Sequence, residues 1–194
     1  MADRVLVEAF APAAGAGRML RQVALVAAGI LALVVAAKIR VPMWPVPVTM
    51  GTFAVLTLGA IYGPRLGLAT ILGYLALGAA GVNVFAGSGE TAGLAYMFGG
   101  TGGYLFGYVL AIAAVGALAR RGWDRSAGRM AVALLLGNVL IYAPGLLWLG
   151  QLYGWDQPIL AWGMTPFLLG DALKLALAAM LVPALWRVAG PSRG

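Results

Sequence analysis

Asp171 and Lys174 lie three residues apart inside an otherwise apolar run, 166–186. At helical spacing they share a face. A charged side chain near the centre of a membrane span costs on the order of 2.5–3.5 kcal/mol, so the pair requires a reason. One is structural: a mutually neutralising ion pair that sets helix register. The other is a solute site, with the carboxylate accepting N–H donors at one end of a ligand and the ammonium holding an anion at the other. Asn138, mid-run in 130–149, and Tyr142, four residues later, are placed to reach the same cavity. Asn83, where the run 66–84 meets an outer connection, is a further candidate, although an isolated Asn in a span often serves as interhelical glue.

The elements that must position these groups follow from composition. The chain has 194 residues, 62% apolar and only 10% charged, against roughly a quarter charged in a soluble domain. A soluble globule of this size could not cover that much apolar surface. An all-α integral membrane protein is expected. Six segments approach the ~20 apolar residues a span needs: 23–37, 48–62, 66–84, 102–119, 130–149 and 166–186. Gly63-Pro64-Arg65 separates the second from the third. Residues 1–21, rich in Ala, Gly and Pro, read as a flexible cytoplasmic tail, leaving 22–190 as one six-helix membrane domain.

Charge orients the bundle. Six spans place both termini on one side, with the 2–3 and 4–5 connections. That side holds ten of the 13 basic residues, and the opposite connections hold Lys38 and Arg40. The positive-inside rule then places both termini in the cytoplasm. The net charge of +7 is chiefly this topology signal, so the expected environment is a lipid bilayer and not nucleic acid.

Whole classes of chemistry are absent. The chain has no His and no Cys, which removes His-based acid/base catalysis, Cys nucleophiles, Cys/His zinc sites and disulfides. No catalytic residue, metal site or cofactor is expected. Gly99-Gly100-Thr101-Gly102-Gly103 lacks the lysine of a phosphate loop. A chain of buried carboxylates to relay protons is also missing. Uphill movement of a solute would need work from a partner.

The outer connections are unusual. Pro42, Pro45 and Pro47 stiffen the 1–2 connection around Trp44. The 3–4 connection is Gly-rich and carries Phe85, Tyr96 and Phe98, and the 5–6 connection carries Trp148, Tyr153, Trp155 and Trp162. These aromatics suit either an interfacial belt or a lid over a small ligand. Gly59/Gly63/Gly67 and Gly99/Gly103/Gly107 recur every four residues, as do Ala24, Ala28, Ala32 and Ala36. Such small-residue faces serve helix packing within a bundle or docking of another membrane subunit.

Val46-Pro47-Val48-Thr49, Thr52-Phe53-Ala54-Val55-Leu56, Gly63-Pro64-Arg65-Leu66-Gly67, Val84-Phe85-Ala86-Gly87, Thr101-Gly102-Gly103-Tyr104, Gly137-Asn138 with Tyr142, and Gly170-Asp171-Ala172-Leu173-Lys174 follow one another in the chain. In that order they resemble the BioY family, the biotin-binding S components of energy-coupling-factor transporters. The resemblance implies a six-helix S component in the bacterial cytoplasmic (inner) membrane that captures biotin from outside. It also implies a transmembrane T component and ATP-binding-cassette ATPase subunits as partners, with the Ala24–Ala36 ridge as the docking face. The family's helix 6 Asp-x-x-Lys matches Asp171 and Lys174. The family often has Gln at the position of Gly51 and Pro at that of Gly100, and those two glycines could loosen the lid.

The ligand chemistry is consistent. A ureido ring offers two N–H donors, a valerate tail carries an anion, and an apolar thioether ring suits aromatic walls. The expected assignment has Asp171 accept from the ureido ring and Lys174 hold the carboxylate end. Three other readings stand beside it: a stand-alone biotin facilitator or secondary transporter, an S component for another vitamin, and a ligand-free assembly protein in which the pair only sets register.

Overall fold

A computed structural model describes residues 4–10, 17–87 and 92–189. The chain is built from helices: α1 (Leu6–Phe10), α2 (Gly17–Lys38), α3 (Gly51–Ala79), α4 (Gly93–Met97), α5 (Gly102–Arg120), α6 (Ala127–Tyr153), α7 (Ile159–Gly163) and α8 (Leu168–Ala189). Two-residue strands β1 (Arg40–Val41) and β2 (Val48–Thr49) pair antiparallel, with Arg40 opposite Thr49. Among the described residues, five helical stretches are long and apolar enough to cross a bilayer: Gly17–Lys38, Gly51–Ala79, Gly102–Arg120, Ala127–Tyr153 and Ile159–Ala189. The protein is a multi-pass helical membrane protein.

The second stretch is not one straight rod. Gly63 has φ +74° and ψ −179°, backbone that L side chains rarely adopt, and Pro64 lacks the N–H that would continue the ladder. The chain turns back there: a Cβ placed on Gly67 would lie 3.9 Å from the Cα of Gly59, although eight residues of straight helix would separate them by about 12 Å. The arms, 51–62 and 64–79, are about 18 and 24 Å long.

α5 is central, packing against α3 on one side and α6 on the other. The contacts are backbone to backbone. A Cβ on Gly103 would lie 2.3 Å from the Pro144 carbonyl oxygen, and one on Gly107 would lie 2.7 Å from the Ile141 Cα. A Cβ on Gly116 would collide with Pro64 at the α3 corner. The small-residue spacing is therefore used within the bundle for α3, α5 and α6. α2 is different. Ala24, Ala28 and Ala32 are exposed and only Ala36 is buried, and the exposed large side chains Val23, Leu31 and Val35 flank them.

The sequence assigned residues 1–21 to a tail. Of the described residues in that range, α1 packs against α3 and α8, and 17–21 belong to the start of α2. Val5 and Leu6 are buried, and Val5 sits against the space left by the missing side chain of Gly63. Burial of these two apolar side chains holds α1 against the bundle.

At this same end, the 3-10 turn Trp123–Arg125 joins α5 to α6. Its Asp124 is fully buried, accepts a hydrogen bond from Trp186 Nε1 at 2.6 Å, and has no partner for Oδ1. Burial pushes its carboxyl up to about 6, offset only in part by the Trp186 hydrogen bond and Arg125. The Arg125 guanidinium also stacks over the Trp186 ring, 4.6 Å from its centroid.

Candidate functional site

The other end of the bundle holds the polar constellation. Pairing of β1 with β2 returns the chain to the top of α3, where the Thr49 hydroxyl accepts from the Gly51 N–H at 3.0 Å. This aims the Thr49 carbonyl and the Thr52 hydroxyl at α8. Lys174 Nζ donates to Thr49 O at 2.7 Å, Thr52 Oγ1 at 3.3 Å and Asp171 Oδ1 at 2.9 Å. Asp171 Oδ1 also accepts from Thr52 Oγ1 at 3.2 Å, and its Oδ2 accepts from Tyr142 Oη at 2.6 Å. The Asp171 side chain is only 4% exposed and that of Lys174 13%.

The capacities of the two ions differ. An ammonium has three donors, and all three are used by protein acceptors. A carboxylate has about four lone-pair sites, and three are used. Asp171 can accept one further N–H without breaking anything, whereas Lys174 can take an anion only by releasing a protein acceptor. α8 begins at Leu168 after a 3-10 turn at Thr165–Phe167 and carries Asp171. Asp171 occupies the first turn, where the helix dipole favours negative charge.

The pair borders an aromatic cavity of about 60 Å³ whose walls include Tyr74, Phe85, Tyr96, Tyr104, Tyr108 and Phe167. Phe85 stacks on Tyr96 at 5.0 Å and meets the edge of Tyr74 at 5.4 Å. Gly51 is a requirement of this wall: a Cβ there would lie 2.7 Å from the Tyr108 hydroxyl. The Tyr108 side chain occupies the space that a side chain at position 51 would need.

Three outer segments meet over the cavity. Trp44 sets its ring edge-on against Tyr153 at 5.4 Å and Trp162 at 5.0 Å. A Cβ on Gly100 would lie 3.1 Å from the Pro45 carbonyl oxygen, so this glycine seats the proline segment closely rather than loosening it. About 60 Å³ accommodates a few waters and is well short of the several hundred Å³ of a drug-sized ligand pocket. Entry of a larger solute requires these segments to part.

Of the residues singled out in the sequence, Asp171, Lys174 and Tyr142 converge. Asn138 on α6 is buried, with Oδ1 lacking a partner, and lines a small gap shared with Asp171 and Lys174. Asn83 is not among the cavity residues. Its Oδ1 accepts from Lys38 Nζ at 2.8 Å on the outer surface, and Lys38 also donates to the Phe85 carbonyl at 2.6 Å. Arg40 donates to the Ala86 carbonyl. Asn83 thus helps fasten the segment that carries Phe85. Thr49, Thr52, Tyr104 and Tyr108 were not singled out as site residues. Threonine and tyrosine are unremarkable at span ends, and only the fold brings them together.

A helical membrane bundle with a buried acid–base pair beneath an aromatic, loop-covered cavity defines a solute-handling membrane protein. A family model described as the BioY family matches residues 7–191. The chain belongs to the BioY family, whose members are transporters rather than enzymes. It is similar to the probable biotin transporter BioY of Pyrococcus horikoshii, 36% identical over 167 residues covering 85% of this chain and 96% of that protein. It is also similar to the biotin transporter BioY of Thermotoga maritima, 33% identical and covering 81% of this chain and 92% of that protein. A crystal structure of the S-component for biotin from an ECF-type ABC transporter shares the fold, with a TM-score of 0.74 at 22% identity, covering 90% of this chain and 95% of that one.

Proposed function

We propose that the chain is the biotin-binding S component of an energy-coupling-factor transporter. It captures biotin in an outward-facing cavity and delivers it inward with a T component and ATPase subunits. The observation that carries this reading is the buried Asp171 carboxylate with one acceptor site to spare beside an aromatic cavity. A ureido N–H fits that acceptor. Lys174 holds the ligand carboxylate by exchanging one of its bonds to Thr49 or Thr52. Tyr142 orients Asp171, Asn138 supports the pair from below, and Asn83 acts through the covering segment.

Six spans accompany this reading in the cytoplasmic membrane of a bacterium, with arms 51–62 and 64–79 as the second and third and both termini on the arginine-rich cytoplasmic side. The exposed Ala24, Ala28 and Ala32 on α2 form the face for the T component. Titration of the purified chain with biotin, with other vitamins as competitors, tests the ligand. Absence of binding, or equal competition by an unrelated vitamin, refutes it. Sustained biotin uptake by vesicles holding this chain alone would instead establish a stand-alone facilitator.

A further inference from the structure

The end of the bundle opposite Asp171 holds a larger cavity, about 830 Å³, at the size of pockets that enclose small ligands. Arg4, Arg18, Arg21, Arg65 and Arg120 line it, with Glu8 as the acidic residue in its wall. Arg120 pairs with Glu8 at 3.2 Å, and Arg21 donates to the Val7 carbonyl at 2.5 Å. Among the described residues, the side chains of Arg4, Arg18 and Arg65 make no hydrogen bond or ion pair. An orienting excess of arginine needs only to lie on one side of the membrane. Here five side chains from α2, α5, the α3 corner and the segment before α1 converge on one space, where their mutual repulsion favours an anion.

The rest of the wall selects the kind of anion. Val23, Val26, Leu66 and Ala69 continue it along α2 and the second arm of α3. Val26 is eight residues beyond Arg18, about 12 Å along the helix axis. The cavity is thus basic at one end and apolar at the other, the profile of a phosphodiester headgroup with the first part of its acyl chains. A free phosphate has no use for the apolar part.

We propose that this cavity binds the headgroup of an anionic phospholipid of the phosphatidylglycerol type, with Arg18 and Arg65 as principal phosphate contacts. The proposal concerns the opposite end of the molecule from Asp171 and does not depend on the biotin reading.

The test uses the full chain in detergent mixed with dioleoylphosphatidylglycerol or dioleoylphosphatidylcholine, with retained lipid counted by native mass spectrometry. The wild type is expected to retain the glycerol lipid in preference to the choline lipid. The Arg18→Gln/Arg65→Gln variant is expected to retain it about 30-fold less well, equal to about 2 kcal/mol at about 1 kcal/mol per arginine and 1.4 kcal/mol per tenfold. Equal retention of the two lipids by the wild type, which needs no variant, overturns the proposal. So does unchanged retention by a variant that melts normally in the choline lipid. Displacement of the lipid by inorganic phosphate at equal concentration would show a free-anion site and also overturn it.

Discussion

The Asp171–Lys174 pair can be a register device, a ligand site or both, and a double-mutant cycle separates these roles. Asp171→Asn leaves Lys174 Nζ, 13% exposed at the side-chain level, without its counter-ion. Removing one partner of a buried pair costs about 3–5 kcal/mol, and the new amide also directs an N–H toward the Thr52 or Tyr142 hydroxyl. Lys174→Met leaves Asp171 charged with only two neutral donors, at 3.2 and 2.6 Å, and a comparable cost is expected. The double variant carries neither charge and should recover most of the stability, since apolar or neutral replacement of a whole buried pair is often close to neutral.

Biotin affinity should behave differently. A hydrogen bond to a charged group contributes about 1.5–3 kcal/mol, or roughly 10- to 150-fold in Kd at 1.4 kcal/mol per tenfold. Each single variant should lose at least that factor, and the double variant should not regain it. Thermal unfolding in detergent and equilibrium binding of labelled biotin, measured on the same four proteins, give both cycles. A double variant that binds biotin with wild-type affinity would refute the assignment and leave the pair a register device.

Two further outcomes follow from the covering segments and the buried turn. Trp44→Ala removes two edge-on ring contacts, each about 0.5–1.5 kcal/mol; biotin should dissociate about 5- to 150-fold faster, measured by chase with unlabelled biotin, and an unchanged rate would show that Trp44 does not close the cavity. Asp124 has its carboxyl raised to about 6 from an ordinary 3.8, so the unfolded chain releases this proton first. Stability should fall by about 3 kcal/mol as pH rises from about 4 to 6 and stay level above. Melting curves of Asp124→Asn should lack that step, and an identical pH profile in variant and wild type would contradict the burial argument.

Much of the architecture was legible because bilayer physics writes itself into composition. Gly63-Pro64 marked the corner of α3, since only glycine tolerates the φ of +74° and proline cannot continue the helix. Asp171 and Lys174 stood out because isolated charges in apolar runs are costly. The surroundings of Asn83 were not legible for a physical reason: sequence located it at the end of a span but could not show whether its amide faced inward to the cavity or outward to Lys38. The burial of Val5 and Leu6 was not legible because Val5 packs against a corner, Gly63, that lies far along the chain.

The sequence by itself determined a membrane protein without His or Cys chemistry, the positions of its apolar helices, the uneven distribution of its charges along the chain and the one acid–base pair within an apolar run. These are local or additive properties, readable from composition and periodicity. Only the tertiary structure decided that Lys174 spends all three donors on protein while Asp171 keeps an acceptor in reserve. It alone set Tyr108 in the space opened by Gly51, and gathered five arginines from separate segments around one cavity. Those outcomes depend on how distant segments meet, and the distance between two side chains far apart in sequence is fixed by packing, not by spacing along the chain.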